Sequence, residues 1–110
     1  MRRWGRVVVV GRSMHPTLHE GDRLLVRWGA AVSVGDVVVV RLPGSRPLSV
    51  KRVVHRDADG WWVERDNPNE GVDSWAVGAI PDTDVLGVAR GRYRPLRRAG
   101  RIPSPPVPLA

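Results

Sequence analysis

The chain has no cysteine and no phenylalanine, and all but one of its eighteen basic residues are arginine. Without cysteine there is no disulfide, no thiolate nucleophile and no cysteine-ligated zinc, so packing must supply the stability. No apolar run is long enough to cross a bilayer. Val7–Val10 follows a basic start at Arg2, Arg3 and Arg6, far below the roughly 20 residues of a transmembrane helix and short even for a signal-peptide core. The expectation is a cytoplasmic chain with no transmembrane segment. The near-exclusion of lysine draws attention to the one that remains, Lys51. A guanidinium stays protonated in proteins, whereas a buried lysine can become a neutral base.

What is present points to one small β-rich domain. At 110 residues, with five tryptophans and many valines, the chain has side chains that suit a pleated, half-buried surface. The net charge is +7 and the pI about 11.5, a balance that attracts polyanions. The charge is concentrated at the ends, in Arg2, Arg3 and Arg6 and in Arg90, Arg92, Arg94, Arg97, Arg98 and Arg101. Such terminal runs read as solvated segments. No specific nucleic-acid partner is expected, and a weak membrane-surface contact is the further option.

Strands are expected at Val7–Val10, Arg23–Trp28, Val37–Leu42, Leu48–His55, Trp61–Glu64, Ala76–Ile80 and Val85–Arg92. The run Val37–Leu42 suits a strand covered on both faces. Gly-Asp steps at Gly21-Asp22 and Gly35-Asp36 reset the chain before two of these strands, and Asp59-Gly60 closes a hairpin. Pro43, Gly44, Ser45 and Pro47 form a loop. Residues 1–92 form the expected domain. Residues 93–110, rich in arginine and then proline, are expected to be a flexible tail.

In the fourth strand Lys51 shares a face with Ser49 and Val53. Ser13 opens a Ser-Met-His-Pro-Thr-Leu run at positions 13–18 that leads through Gly21 and Asp22 into the second strand. A serine is a weak nucleophile until a base takes its proton, and a lysine desolvated among Val50, Val53 and Val54 could be that base. Taken singly, Lys51 also reads as a surface charge and Ser13 as a turn-capping hydroxyl. Further motifs give the pair its weight: Lys51-Arg52, then Asp66-Asn67-Pro68, Asp73-Ser74 and Gly78–Pro81.

In this order, over about residues 7–87, the motifs resemble those of the type I signal peptidases and their serine-lysine relatives. The small anchor-free form is similar to the peptidases that mature nickel-type superoxide dismutase. The resemblance implies an all-β, β-barrel-like LexA/signal peptidase domain. Its activity would be that of a serine endopeptidase removing a short N-terminal leader from a precursor protein, here the nickel superoxide dismutase proform. It implies Ser13 as nucleophile and Lys51 as general base. Ser74 would orient the amine, Asp73 would hold the active-site loop, and Gly11, Met14 and Pro16 would line the substrate cleft. The Ser13 amide would serve as an oxyanion donor. No cofactor or metal is implied.

Two positions depart from the family pattern: Arg65 stands where glycine is usual and Trp75 where arginine is usual. The family arginine pairs with the motif aspartate, so Asp73 would need another partner, Arg65 or Arg52. His15, His19 and His55 show no metal-ligand spacing and read as surface or turn residues. The alternatives are an inactive peptidase-like protein, or a small basic β-barrel that binds nucleic acid through its arginines and Trp4, Trp28, Trp61, Trp62 and Trp75. A self-cleaving repressor would need a DNA-binding module before the dyad, and twelve residues are too few for one.

Overall fold

The computed structural model describes residues 3–44, 47–69 and 71–104. Arg2, Ser45, Glu70 and the last six residues of the expected tail therefore lie outside the described ones. Six strands form one antiparallel sheet: β1 (Arg3–Val8), β2 (Arg23–Trp28), β3 (Val37–Arg41), β4 (Leu48–Asp57), β5 (Gly60–Glu64) and β6 (Val85–Arg94). Their spatial order is β1-β2-β6-β3-β4-β5, which puts β1 and β5 at the edges. Register shifts interrupt the β2–β6, β3–β6 and β4–β5 ladders. Bulges of this kind bend strands and raise local twist.

The sheet carries a core on each face of β3, as its continuous valine run foretold. Val37 and Val39 pack with Val9, Met14, Leu18, Leu24, Val26 and Ala89. Val38 and Val40 pack with Leu42, Val53, Val63, Ile80 and Val88. Alternation along β3 sends its side chains to opposite faces, so one five-residue strand anchors both cores. The doubled Gly-Asp step is one device used twice. Gly21 and Gly35 both take positive φ, a conformation that glycine adopts without steric penalty. The aspartates that follow accept the N–H three residues back, His19 to Asp22 at 2.8 Å and Ser33 to Asp36 at 2.9 Å.

Three expectations need correction. The first strand covers Arg3–Val8 rather than Val7–Val10; its early arginines are compatible with an edge, where charge is common. Ala76–Ile80 is not a strand. Ser74–Val77 forms a single helical turn, α1, capped by Asp73, whose carboxylate accepts the Trp75 N–H, and Ile80 makes one isolated bridge to Trp61. An aspartate at the N-cap favours that turn over extension.

The third concerns the tail. Of the residues expected to be flexible, 93–104 lie against the sheet. Arg92 and Gly100 exchange backbone hydrogen bonds at 2.9 and 2.8 Å, Ile102 packs on the first core, and the Pro103 carbonyl accepts from the Arg52 guanidinium at 3.0 Å. Composition alone overlooked what the tail docks on. Asp22, buried below the surface, accepts from Arg92 at 3.0 Å and from Arg98 at 2.6 Å.

Candidate active site

Ser13 lies on the turn between β1 and β2, and Lys51 near the middle of β4, opposite Val38 of β3. Folding brings them together: Lys51 Nζ and Ser13 Oγ are hydrogen-bonded at 3.0 Å. Lys51 is only 3% exposed, and among the described residues it has no salt bridge to a carboxylate. Burial pushes its pKa below the ordinary lysine value. The field of Asp73 opposes this shift and that of Arg65 adds to it. Arg65 follows Glu64, the last residue of β5 and the partner of Arg52, so continuing that antiparallel register sets it opposite Lys51.

The serine turn is held from below. The Met14 side chain is fully buried and Leu18 N–H donates to the Met14 carbonyl at 2.9 Å. The Thr17 hydroxyl donates to Asp66 at 2.6 Å. Asp66 also receives Arg52, at 2.8 Å, in a pair with both side chains buried. Such a pair is expensive to desolvate and more expensive to break singly. Its worth here is positional, since it ties the Ser13 turn, β4 beside Lys51 and the loop after β5 to one another. Asn67 completes the tie: its N–H donates to the Ser13 carbonyl and its side-chain amide to the Arg12 carbonyl, both at 2.9 Å.

Arg65 organises the rest of that loop. Its guanidinium donates to the carbonyls of Asn67 (2.9 Å), Pro68 (3.1 Å) and Gly71 (3.4 Å) and to the Asp73 carboxylate (3.3 Å). Asp73 therefore has its cation, supplied by Arg65 and not by position 75 or by Arg52, which is committed to Asp66. Trp75 instead donates its indole N–H to Glu64 at 3.0 Å and meets Trp62 edge-on. Gly71 went unread in the sequence. It has φ of +113° and faces Ser13 so closely that a Cβ there would lie 2.5 Å from the serine Cβ. Its signal was a glycine at a fixed offset after Asp66-Asn67-Pro68, legible only once the loop was known to cover Ser13.

The other expected residues divide. Ser74 is buried, but its hydroxyl accepts the Val63 N–H at 2.8 Å, and among the described residues it makes no hydrogen bond to Lys51. A pocket of about 270 Å³ opens beside Ser13, lined by Val7–Val10, Met14, Val39 and residues 47–50. Met14 lines it; Gly11 and Pro16 do not. The Gly11 N–H is engaged by Glu20 at 3.2 Å. His15 and His19 face each other with ring centroids 4.6 Å apart and His55 stacks on Trp62. Among the described residues no three metal-binding side chains converge, and no helix is long and apolar enough to cross a membrane.

The antiparallel sheet thus sets a serine turn against a buried strand lysine. The chain belongs to the Peptidase S24-like family, whose family model matches residues 5–90. That stretch contains Ser13, Lys51, the Arg52–Asp66 tie and the loop from Arg65 to Ser74. Membership supports a peptidase-like function in general.

Proposed function

We propose that the chain is a serine endopeptidase in which Ser13 is the nucleophile and Lys51 the general base. The observation that carries this reading is the 3.0 Å contact between Ser13 Oγ and the amine of a lysine buried to 3% exposure. Desolvation favours the neutral amine, the form able to accept a proton. As Ser13 Oγ attacks the scissile carbonyl carbon, its proton passes to Lys51 Nζ. The resulting ammonium then protonates the departing amine as the C–N bond breaks, leaving an ester on Ser13. Water, deprotonated in turn by Lys51, hydrolyses that ester and restores the serine. The Ser13 N–H makes no hydrogen bond among the described residues, so it is free to donate to the oxyanion.

Arg65 and Asp73 act on the base from beside it, and Asp73 also caps α1. The apolar pocket along Val7–Val10 suits an extended segment of small or aliphatic side chains laid beside the β1 edge, where backbone groups remain to be paired. The substrate we assign is a precursor protein from which a short N-terminal leader is removed, with the nickel superoxide dismutase proform as the first candidate. The test is incubation of the purified chain with that proform, reading the new N-terminus by mass spectrometry. One discrete leader lost to the native chain but not to Ser13→Ala supports the reading. An intact proform redirects the substrate assignment. Cleavage by both forms overturns the nucleophile.

A further inference from the structure

The three neighbouring strands β1, β2 and β6 contain seven arginines and not one aspartate or glutamate. Their register sorts the outward side chains into cross-strand pairs: Trp4 with Arg27, Arg6 with Leu25 and Val8 with Arg23. Each pair joins a cation to an apolar group. Trp4, Val8 and Leu25 are 52%, 53% and 38% exposed, and the Arg27 guanidinium lies 4.8 Å from the Trp4 ring centroid. Arg6, Arg23 and Arg94 surround a shallow depression of about 440 Å³ with Leu25 and Tyr93. Among the described residues none of these three arginines has a carboxylate partner. A second depression shares Arg23 and Arg94, runs on to Leu96, which is 73% exposed, and Arg97, and is lined also by Glu20 and by Asp22, the latter already paired with Arg92 and Arg98.

From this face we infer a docking surface for an anionic phospholipid bilayer. The guanidiniums around the depression suit phosphodiester oxygens, which they can bind in bidentate fashion. The apolar members decide between polyanions. A nucleic-acid backbone offers nothing to Val8, Leu25 and Leu96, and the one strongly exposed ring on this face, Trp4, is already covered by Arg27 on one side. The boundary between headgroups and acyl chains accepts scattered aliphatic side chains without shape matching and favours tryptophan. Alternating cation and apolar group across the strands meets both layers of that boundary together. The surface lies apart from Lys51 and its loop and meets the pocket beside Ser13 only at Val8, and the inference stands whether or not the chain is a peptidase.

The test is co-sedimentation of the full chain with phosphatidylcholine vesicles and with vesicles in which about a third of the lipid is phosphatidylglycerol, a content that gives a negative surface potential. Binding to the anionic vesicles alone is expected. The exposed double variant Arg23→Gln/Arg94→Gln should weaken it by about 30-fold, from roughly five-fold for each arginine near the surface. Trp4→Ala should weaken it further at high salt, where the electrostatic part is screened. Arg41→Gln/Arg56→Gln removes the same charge from β3 and β4, where each arginine already pairs with an aspartate, and should change binding by less than about three-fold. Equal losses in the two double variants would overturn the inference. So would equal binding to both vesicle types, no binding to either, or displacement from anionic vesicles by a duplex oligonucleotide at lower concentration than the lipid.

Discussion

Replacing Lys51 by methionine should make the folded chain more stable at neutral pH even as it removes the proposed base. Lys51 is nearly inaccessible, and Asp73, whose field acts on it, is held by Arg65. Its folded pKa lies below the ordinary lysine value because burial disfavours the ammonium. Between that folded value and about 10.4 in the unfolded chain, the unfolded state binds more protons. Stability of the native chain should therefore rise with pH across this window, by about 1.4 kcal/mol per pH unit, and level off above it. Lys51 contributes least below its folded pKa, where the buried amine is charged. Methionine fills a similar volume and carries no charge, but it forfeits the Ser13 hydrogen bond, worth about 0.5–1.5 kcal/mol. Ser13 is half-exposed and can bond to water instead. The net gain at neutral pH should be about 1–3 kcal/mol, shrinking as pH rises above the folded pKa and reversing only as pH approaches the unfolded value of about 10.4. Urea denaturation of both proteins at several pH values from neutral to beyond 10 reads this directly. Parallel curves, or a variant less stable at every pH, would refute the depressed pKa.

Ser13→Ala should end cleavage while the chain stays folded, its stability lowered by no more than the lost Lys51 hydrogen bond, about 0.5–1.5 kcal/mol, and Lys51→Arg should be as inactive as Lys51→Met, because a guanidinium does not accept the serine proton; peptide-bond cleavage followed by mass spectrometry checks both. In Arg65→Gln the charge that helps depress Lys51 is gone and Asp73 is left uncompensated, so the alkaline-rising limb of the pH–rate profile should move to higher pH; an unmoved limb with a lower plateau would reduce Arg65 to a loop clamp. Asp22→Asn breaks a buried carboxylate's contacts with Arg92 and Arg98 and should cost about 3–5 kcal/mol in chemical denaturation. Burial raises the Asp22 pKa, but the His19 N–H and the two guanidiniums outweigh it and leave the pKa lowered. The native chain should thus lose stability as pH falls through that low value, and the asparagine variant should lose less. Gly71→Ala, with φ of +113° and a Cβ that would collide with Ser13, should cost about 1–3 kcal/mol and slow cleavage by displacing the serine; normal activity would show that the loop yields freely.

The central strands were legible because each carries its own local signal. The valines of β3 announced two buried faces, and the Gly-Asp steps marked the turns before β2 and β3. Ser13 and Lys51 stood out from motif order and from lysine scarcity, although 38 positions separate them and no local pattern pairs residues so far apart. Less legible were features set by tertiary partners. The chain after Tyr93 looked too polar to order itself, yet its order comes from carboxylate and carbonyl contacts with Asp22 and Arg52, which composition does not register. Ala76–Ile80 had strand-like apolar residues, but Asp73 as N-cap turned its start into α1. Gly71 was invisible for a related reason: its meaning lies in a side chain 58 positions away, across a loop whose path Arg65 fixes.

The most direct test of the account is to trap the covalent intermediate. The purified chain is mixed with an activated ester of a short aliphatic peptide, quenched in acid at intervals and measured by intact-mass and peptide-mapping mass spectrometry. The account predicts one acyl group, located on Ser13, forming faster as pH rises through the depressed Lys51 pKa and failing to form in Ser13→Ala or Lys51→Met. Acylation at another residue, or on Ser13 at a rate indifferent to both pH and the loss of Lys51, would contradict it.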